Sequence, residues 1–120
     1  MTNQKLKKNN EFKQVFTRGI KKSGKYTIVF IFSGEKPNNR LGIIVKKSIG
    51  NAVKRNKIKR RLREIWRKQI NQLLQGSDVV IVARKEIGEA SFKEIENELL
   101  KLLLTGKVQK SSLNFYALGR

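Results

Sequence analysis

The chain has 120 residues with 28 Lys and Arg, 9 Asp and Glu, no Cys and no His, for a formal net charge of +19. That length suits one domain with a real core, and the missing cysteines exclude disulfides and thiolate metal sites and fit a reducing compartment. So large a surplus of one sign opposes compaction by self-repulsion and asks for a polyanionic partner. Nucleic acid fits better than an anionic membrane, because no segment joins a basic face to an exposed apolar one or reaches spanning length.

The opening MTNQKLKKNN lacks the apolar centre of a secretory leader, so the expected location is cytoplasmic. Residues 1–8 read as a flexible basic terminus, ordered only when RNA or a neighbouring helix fixes them. The RNA-binding domain is expected over residues 9–104. Asn9 or Asn10 caps a short helix, Glu11 to Arg18, closed by Gly19, with Phe12, Val15 and Phe16 as its apolar stripe. Aromatic residues at this spacing usually pack inward. The other possibility is that Phe12 and Phe16 line a groove where a base stacks.

Ile20 to Gly24 reads as a basic turn. Tyr26 to Phe32, YTIVFIF, is a strand apolar on both faces and so covered at least partly on each. SGEKPNN has a length that suits a hairpin, with Arg40 to Lys47 as the returning strand. Leu41, Ile43, Val45 and Lys47 share one face of it, and Gly42, Ile44 and Lys46 the other.

A long helix follows, from Ala52 with Asn51 as its cap. At about 100° per residue, Ile58, Leu62, Ile65, Trp66 and Leu73 form one apolar arc, and Lys57, Arg60, Arg61, Arg63, Arg67 and Lys68 a basic ridge opposite. Arg55 falls on the inward side and should lean across the mouth of whatever the helix packs on. Lys54, Arg55 and Lys57 oppose the helix dipole at its N-terminus, at roughly 0.3–1 kcal/mol each when exposed; a bound phosphate reverses the sign of that term. A merely solvated face would mix both charge signs, whereas Glu64 stands alone here.

Gly76-Ser77 ends the helix, and Asp78 to Arg84 reads as a central strand through its continuous Val79–Val82 run. Ser91-Phe92-Lys93-Glu94 is a capping box opening a helix to about Leu104, with Phe92, Ile95, Leu99, Leu102 and Leu103 inward and its remaining glutamates as solvated partners for lysines. Residues 105–120 form a tail without firm period. The order α-β-β-α-β-α predicts an α+β single-domain sandwich, a small mixed sheet packed by helices.

Asn39-Arg40-Leu41-Gly42, Val45-Lys46-Lys47, Gly50 to Arg60 (GNAVKRNKIKR) and Arg63-Glu64 together resemble the signature of the protein subunit of bacterial ribonuclease P. Lys7-Lys8-Asn9 with Glu11-Phe12 and Val15-Phe16, and later Ile81-Val82-Ala83-Arg84, resemble it as well, so the likeness spans about residues 5 to 104. It implies a left-handed crossover through the basic helix, against the usual hand. It also implies that the protein assists a catalytic RNA, using magnesium held by that RNA, in removing the 5′ leader of precursor tRNA. The partners implied are that RNA and the leader-bearing precursor, with no membrane, no required protein partner and no cofactor bound by the protein alone. Residue by residue, Phe12, Phe16 and Phe30 become one wall of a leader-binding cleft, and Val45, Lys47, Arg55 and Asn56 the other. Lys54, Lys57, Lys59, Arg60, Arg61 and Arg63 would dock on the RNA subunit. Lys57 stands where the family usually has arginine, exchanging a forked donor for a point charge.

A protein-only nuclease would need clustered carboxylates or a histidine base. Neither is present in the basic stretch. A ribosomal or chaperone-type RNA binder would share the ridge but has no use for an aromatic cleft. A DNA-reading helix would project short polar readers rather than Lys and Arg.

Overall fold

The computed structural model describes residues 4–34 and 37–110. A five-stranded mixed sheet runs in the order β1-β4-β5-β3-β2: β1 is Gln4–Lys5, β2 Ile20–Ser23, β3 Thr27–Ser33, β4 Arg40–Ile44 and β5 Ser77–Ala83. Helix α1 is Asn9–Arg18, α2 Ala52–Ile65 and α3 Phe92–Lys110. β4 pairs parallel with both β1 and β5, whereas β3 pairs antiparallel with β5 and β2. This is the expected α+β sandwich, with α2 crossing between the adjacent parallel strands β4 and β5.

The two faces of the sheet carry different cores. Val29, Ile31, Leu41, Val79 and Ile81 bury against Ile58, Leu62, Ile65 and Trp66 of the basic helix and against Ile95, Leu99 and Leu103 of α3. On the other face Leu6, Val15 and Val80 are buried, with Phe12, Phe30, Phe32, Ile44 and Val82 packed round them half-covered. β3 is therefore covered on both sides, as its two apolar faces require.

Several expectations are corrected. No β3–β4 hairpin forms, because β5, buried along nearly its whole length, pairs with both strands and separates them. Ile20–Ser23 is an edge strand rather than a turn; exposed lysines on an edge hide the apolar run by which strands are usually found. Residues 4–6 are not a loose terminus: Gln4 and Lys5 pair with Arg40 and Leu41, and Leu6 is buried. Lys8, not Asn9 or Asn10, stands at the N-cap of α1, and Glu11 reaches back to the Lys7 and Lys8 N–H groups at 2.8 and 3.1 Å.

In the long helix, Asn51 caps as expected, its Oδ1 accepting from the Lys54 N–H at 2.9 Å. The apolar arc then changes register. Trp66–Ile70 is a π-turn, which adds a residue to the repeat, so Ile70 and Leu74 become buried and Leu73 is left 56% exposed. Gly76 follows at φ 63°, a left-handed position that only glycine takes without cost.

The Ser91/Glu94 capping box forms in both directions, at 3.1 and 2.9 Å. Phe92 is exposed rather than inward. Among the glutamates of α3, Glu96 pairs with Lys93, but Glu98 does not face solvent lysines. Its carboxylate accepts from the Lys25, Tyr26 and Thr27 N–H groups and from Thr27 Oγ1, all at 2.7–3.2 Å, and so pins the β2–β3 turn to α3. The helix runs on through Lys110, past the expected end at Leu104. Residues 111–120, with Leu113, Phe115, Tyr116 and Leu118, lie outside the described residues.

Candidate nucleic-acid interface

The sheet face under α1 builds the first part of the site. Phe12 lies directly on Gly42: a β-carbon there would come within 2.5 Å of the Phe12 ring, so a glycine in β4 is what lets the aromatic wall reach the sheet. Phe12 and Phe16, four residues apart, have ring centroids 6.4 Å apart. Phe16 meets Phe30 edge to face at 4.8 Å. Phe16 nevertheless remains 38% exposed, and Phe30 and Phe32 are half-buried. Two cations flank this row. Lys21 Nζ lies 6.0 Å from the Phe30 ring, and the Arg18 guanidinium 5.8 Å from Phe32. A row of partly open rings edged by cations offers stacking for bases and charge for the phosphates between them.

A polar chain fixes α1 over this face. Arg40 donates from Nε and Nη2 to both oxygens of Asp78, at 2.9 and 2.8 Å, and from Nη1 to Glu11 Oε2 at 2.8 Å. Asp78 is only 1% exposed. The N–H groups of Lys7 and then Lys8, with Arg40 after them, hold the Glu11 carboxyl down from 4.5 to about 2. Beside it, Asn39 Nδ2 donates to Asn71 Oδ1 and to the Asn71 and Leu74 carbonyls, while its Oδ1 accepts from the Ser77 N–H. Asn39-Arg40 thus locks the turn at residues 71–74 and the start of β5 to β4.

The second part is α2. Its cations do not make one ridge but two stripes, because α2 packs the sheet between them. Lys59, Arg60, Arg63 and Arg67 face the open edge of β4, round a cavity of about 370 Å³. Lys54, Lys57 and Arg61 face the Lys85–Glu89 turn and the start of α3, round another of about 470 Å³ that Glu89 and Glu94 also line. Glu64 bonds Lys68 at 2.9 Å, which lowers its pKa. Glu64 also lines the first cavity, beside Lys59, Arg60, Arg63 and Arg67.

The structure brings Phe12, Phe16 and Phe30 together but divides the remaining cleft residues. Val45 is 9% exposed and belongs to the core beneath α2, on the face opposite Phe30. It presents no surface to a bound strand, since strand alternation sends it to the α2 side. Lys47 lies in the turn between β4 and α2, and Arg55 and Asn56 in the first two turns of α2. There Arg55 Nη1 donates to the Gly50 carbonyl at 2.7 Å, so the inward-facing cation is spent partly on bracing the turn that precedes its own helix. Sequence reasoning missed Arg18, Lys21 and Phe32. Phe32 is legible as the residue two after Phe30, and Arg18 lies in the expected first helix with nothing local to aim it at Phe32; Lys21 is hidden because exposed lysines mask β2.

Among the described residues no group of His, Cys, Asp or Glu is placed to hold a metal ion, and no helix is long and apolar enough to cross a membrane.

The family model for ribonuclease P matches residues 1–106. The ribonuclease P protein component of Alkaliphilus metalliredigens is 36% identical over 102 residues, covering 85% of this chain and 92% of the relative. Among solved structures, the RNase P protein of Staphylococcus aureus superposes with a TM-score of 0.78 at 32% identity, over 87% of this chain and 95% of the other. That of Thermotoga maritima does so with 0.75 at 33% identity, over 83% and 94%. Motif, fold and relatives thus agree, and the chain belongs to the ribonuclease P protein family, whose members are the protein subunits of the endoribonuclease that matures the 5′ end of tRNA.

Proposed function

We propose that the chain binds the 5′ leader of precursor tRNA along the aromatic face under α1 while the cations of α2 dock on the catalytic RNA. The observation that carries this reading is Phe16, left exposed in edge contact with Phe30, in a row of rings where Lys21 lies over Phe30 and Arg18 over Phe32. Among the described residues, Leu73 and Phe92 are exposed without a ring partner, whereas Phe16 belongs to a contiguous aromatic row with Phe12 and Phe30, and contiguous apolar patches mark interaction sites.

Each part contributes a separate kind of binding energy. Lys59, Arg60 and Arg63 on one side of α2, and Lys54, Lys57 and Arg61 on the other, neutralise phosphates of a folded RNA and release its counterions. Rings and flanking cations hold an unpaired strand without reading its sequence, because every base has a face to stack. Fixing the leader relative to the RNA subunit makes cleavage of the bound precursor effectively unimolecular. In this reading magnesium and the hydrolytic step belong to the catalytic RNA. In this reading the complex works in the cytoplasm.

The test is cleavage of precursor tRNA at low magnesium by a bacterial ribonuclease P RNA, with and without the protein, and by the protein alone. Stimulation that requires both the RNA and a leader several nucleotides long is expected. Tight RNA binding without leader-dependent stimulation would refute the cleft and leave a structural RNA binder.

A further inference from the structure

β1 stops opposite Leu41, so beyond that residue no strand among the described residues pairs with the outer edge of β4. The Leu6 N–H bonds the Leu41 carbonyl on this edge at 3.1 Å, and by the alternation of peptide directions Ile43 turns its own N–H and C=O the same way. The cavity of about 370 Å³ opens here. Leu6, Leu41, Ile43 and the buried Trp66 make an apolar floor, and Phe12 closes the side towards α1. Lys5, Lys59, Arg60, Arg63 and Arg67 form the rim, with Glu64, itself bonded to Lys68, as the one carboxylate among them.

We propose that this cavity takes one unpaired nucleotide of the RNA partner, with the base on the apolar floor against the β4 edge and the phosphate on the rim. The proposal rests on the docking role given to α2 above. An inorganic anion would use the rim and waste the floor. A neutral apolar ligand would use the floor and leave the cations repelling one another. Paired RNA would meet only the rim, because its base edges are turned inward. An unstacked nucleotide satisfies all three features, since its base has an apolar face for the floor and a polar edge for the free peptide groups. The volume lies within the roughly 300–1,000 Å³ typical of small-ligand pockets. An acidic peptide added as a further strand fits less well, because β4 ends at Ile44 and offers too short an edge for a ladder.

Trp66 is the one tryptophan of the chain, so its emission reports on the floor. The full chain is titrated with AMP, ribose 5-phosphate and inorganic phosphate. AMP should change the emission saturably and bind about tenfold or more tighter than ribose 5-phosphate, the gain expected of one stacked or buried base. Ile43→Phe fills the floor at unchanged charge and should abolish the AMP response. Arg63→Gln, on the exposed rim where folding is not at stake, should weaken it severalfold. Equal responses to all three ligands, or no response to AMP, overturn the nucleotide pocket. If precursor cleavage is still stimulated in that case, the proposed function stands without it. An AMP response in a protein that fails to stimulate cleavage overturns the assignment to the RNA partner. A response to an acidic hexapeptide but not to AMP reassigns the edge to strand addition.

Discussion

Replacing Arg40 with methionine removes three charge-assisted hydrogen bonds at 2.8–2.9 Å, two to Asp78 and one to Glu11. Methionine keeps most of the stem's packing, so the loss is mainly electrostatic. Breaking a buried pair by deleting one partner costs roughly 3–5 kcal/mol, because the remaining charge loses its compensation. The Asp78 side chain is 2% exposed but that of Arg40 is 17%, which points to the lower end, about 3 kcal/mol. For a domain of this size that corresponds to a fall in Tm of about 10–15 °C. Urea and thermal unfolding at pH 7 measure it directly. Adding Asp78→Asn should recover part of the loss, because the buried carboxylate that has lost its guanidinium is then neutral. α1 should also exchange its amide protons faster, having lost its tether through Glu11. A cost for Arg40→Met of less than about 1 kcal/mol would refute the reasoning and put the pair with solvent-screened surface bridges.

The Glu11 carboxyl is held at about 2 against 4.5, so its folded pKa is depressed. Its contribution is complete above pH 4.5 and lost as pH falls towards 2. The stability difference between wild type and Glu11→Gln should shrink over that window and stay flat from pH 5 to 8; a difference independent of pH down to 2 would contradict it. Phe16→Ala should cost the fold only about 1 kcal/mol, since the ring is already 38% exposed. It should weaken binding of leader-bearing precursor to the RNA–protein complex several-fold while leaving affinity for the RNA subunit unchanged; parallel loss of both would return the ring to a packing role. Lys59→Ala with Arg60→Ala should lower RNA affinity and reduce the slope of log K against log salt by about one to two units. An unchanged slope would remove these residues from the docking surface.

Much of the interface was legible because local chemistry specified it. The Asn51 cap, the Ser91/Glu94 box and the uniform sign of charge on α2 depend on residues within a turn or two of one another. Pairing was not legible in the same way. Strand Tyr26–Phe32 declares itself by composition, but nothing within it says that its neighbours are β2 and β5 rather than β4. Glu98 looks like any exposed helical glutamate until the β2–β3 turn is seen to bring three peptide N–H groups to it.

From its residue pattern alone the chain reads as a basic α+β fold whose helix α2 concentrates cations of one sign. Periodicity and charge are properties of neighbouring residues and survive without knowledge of the fold. Which side of the sheet each residue reaches is a tertiary matter. One π-turn exchanged Leu73 for Ile70 and Leu74 in the core. The insertion of β5 between β3 and β4 separated two strands expected to pair. Strand alternation then sent Val45 to the α2 core and left Phe12, Phe16 and Phe30 together on the opposite face, because a pleated strand cannot present consecutive side chains to the same surface.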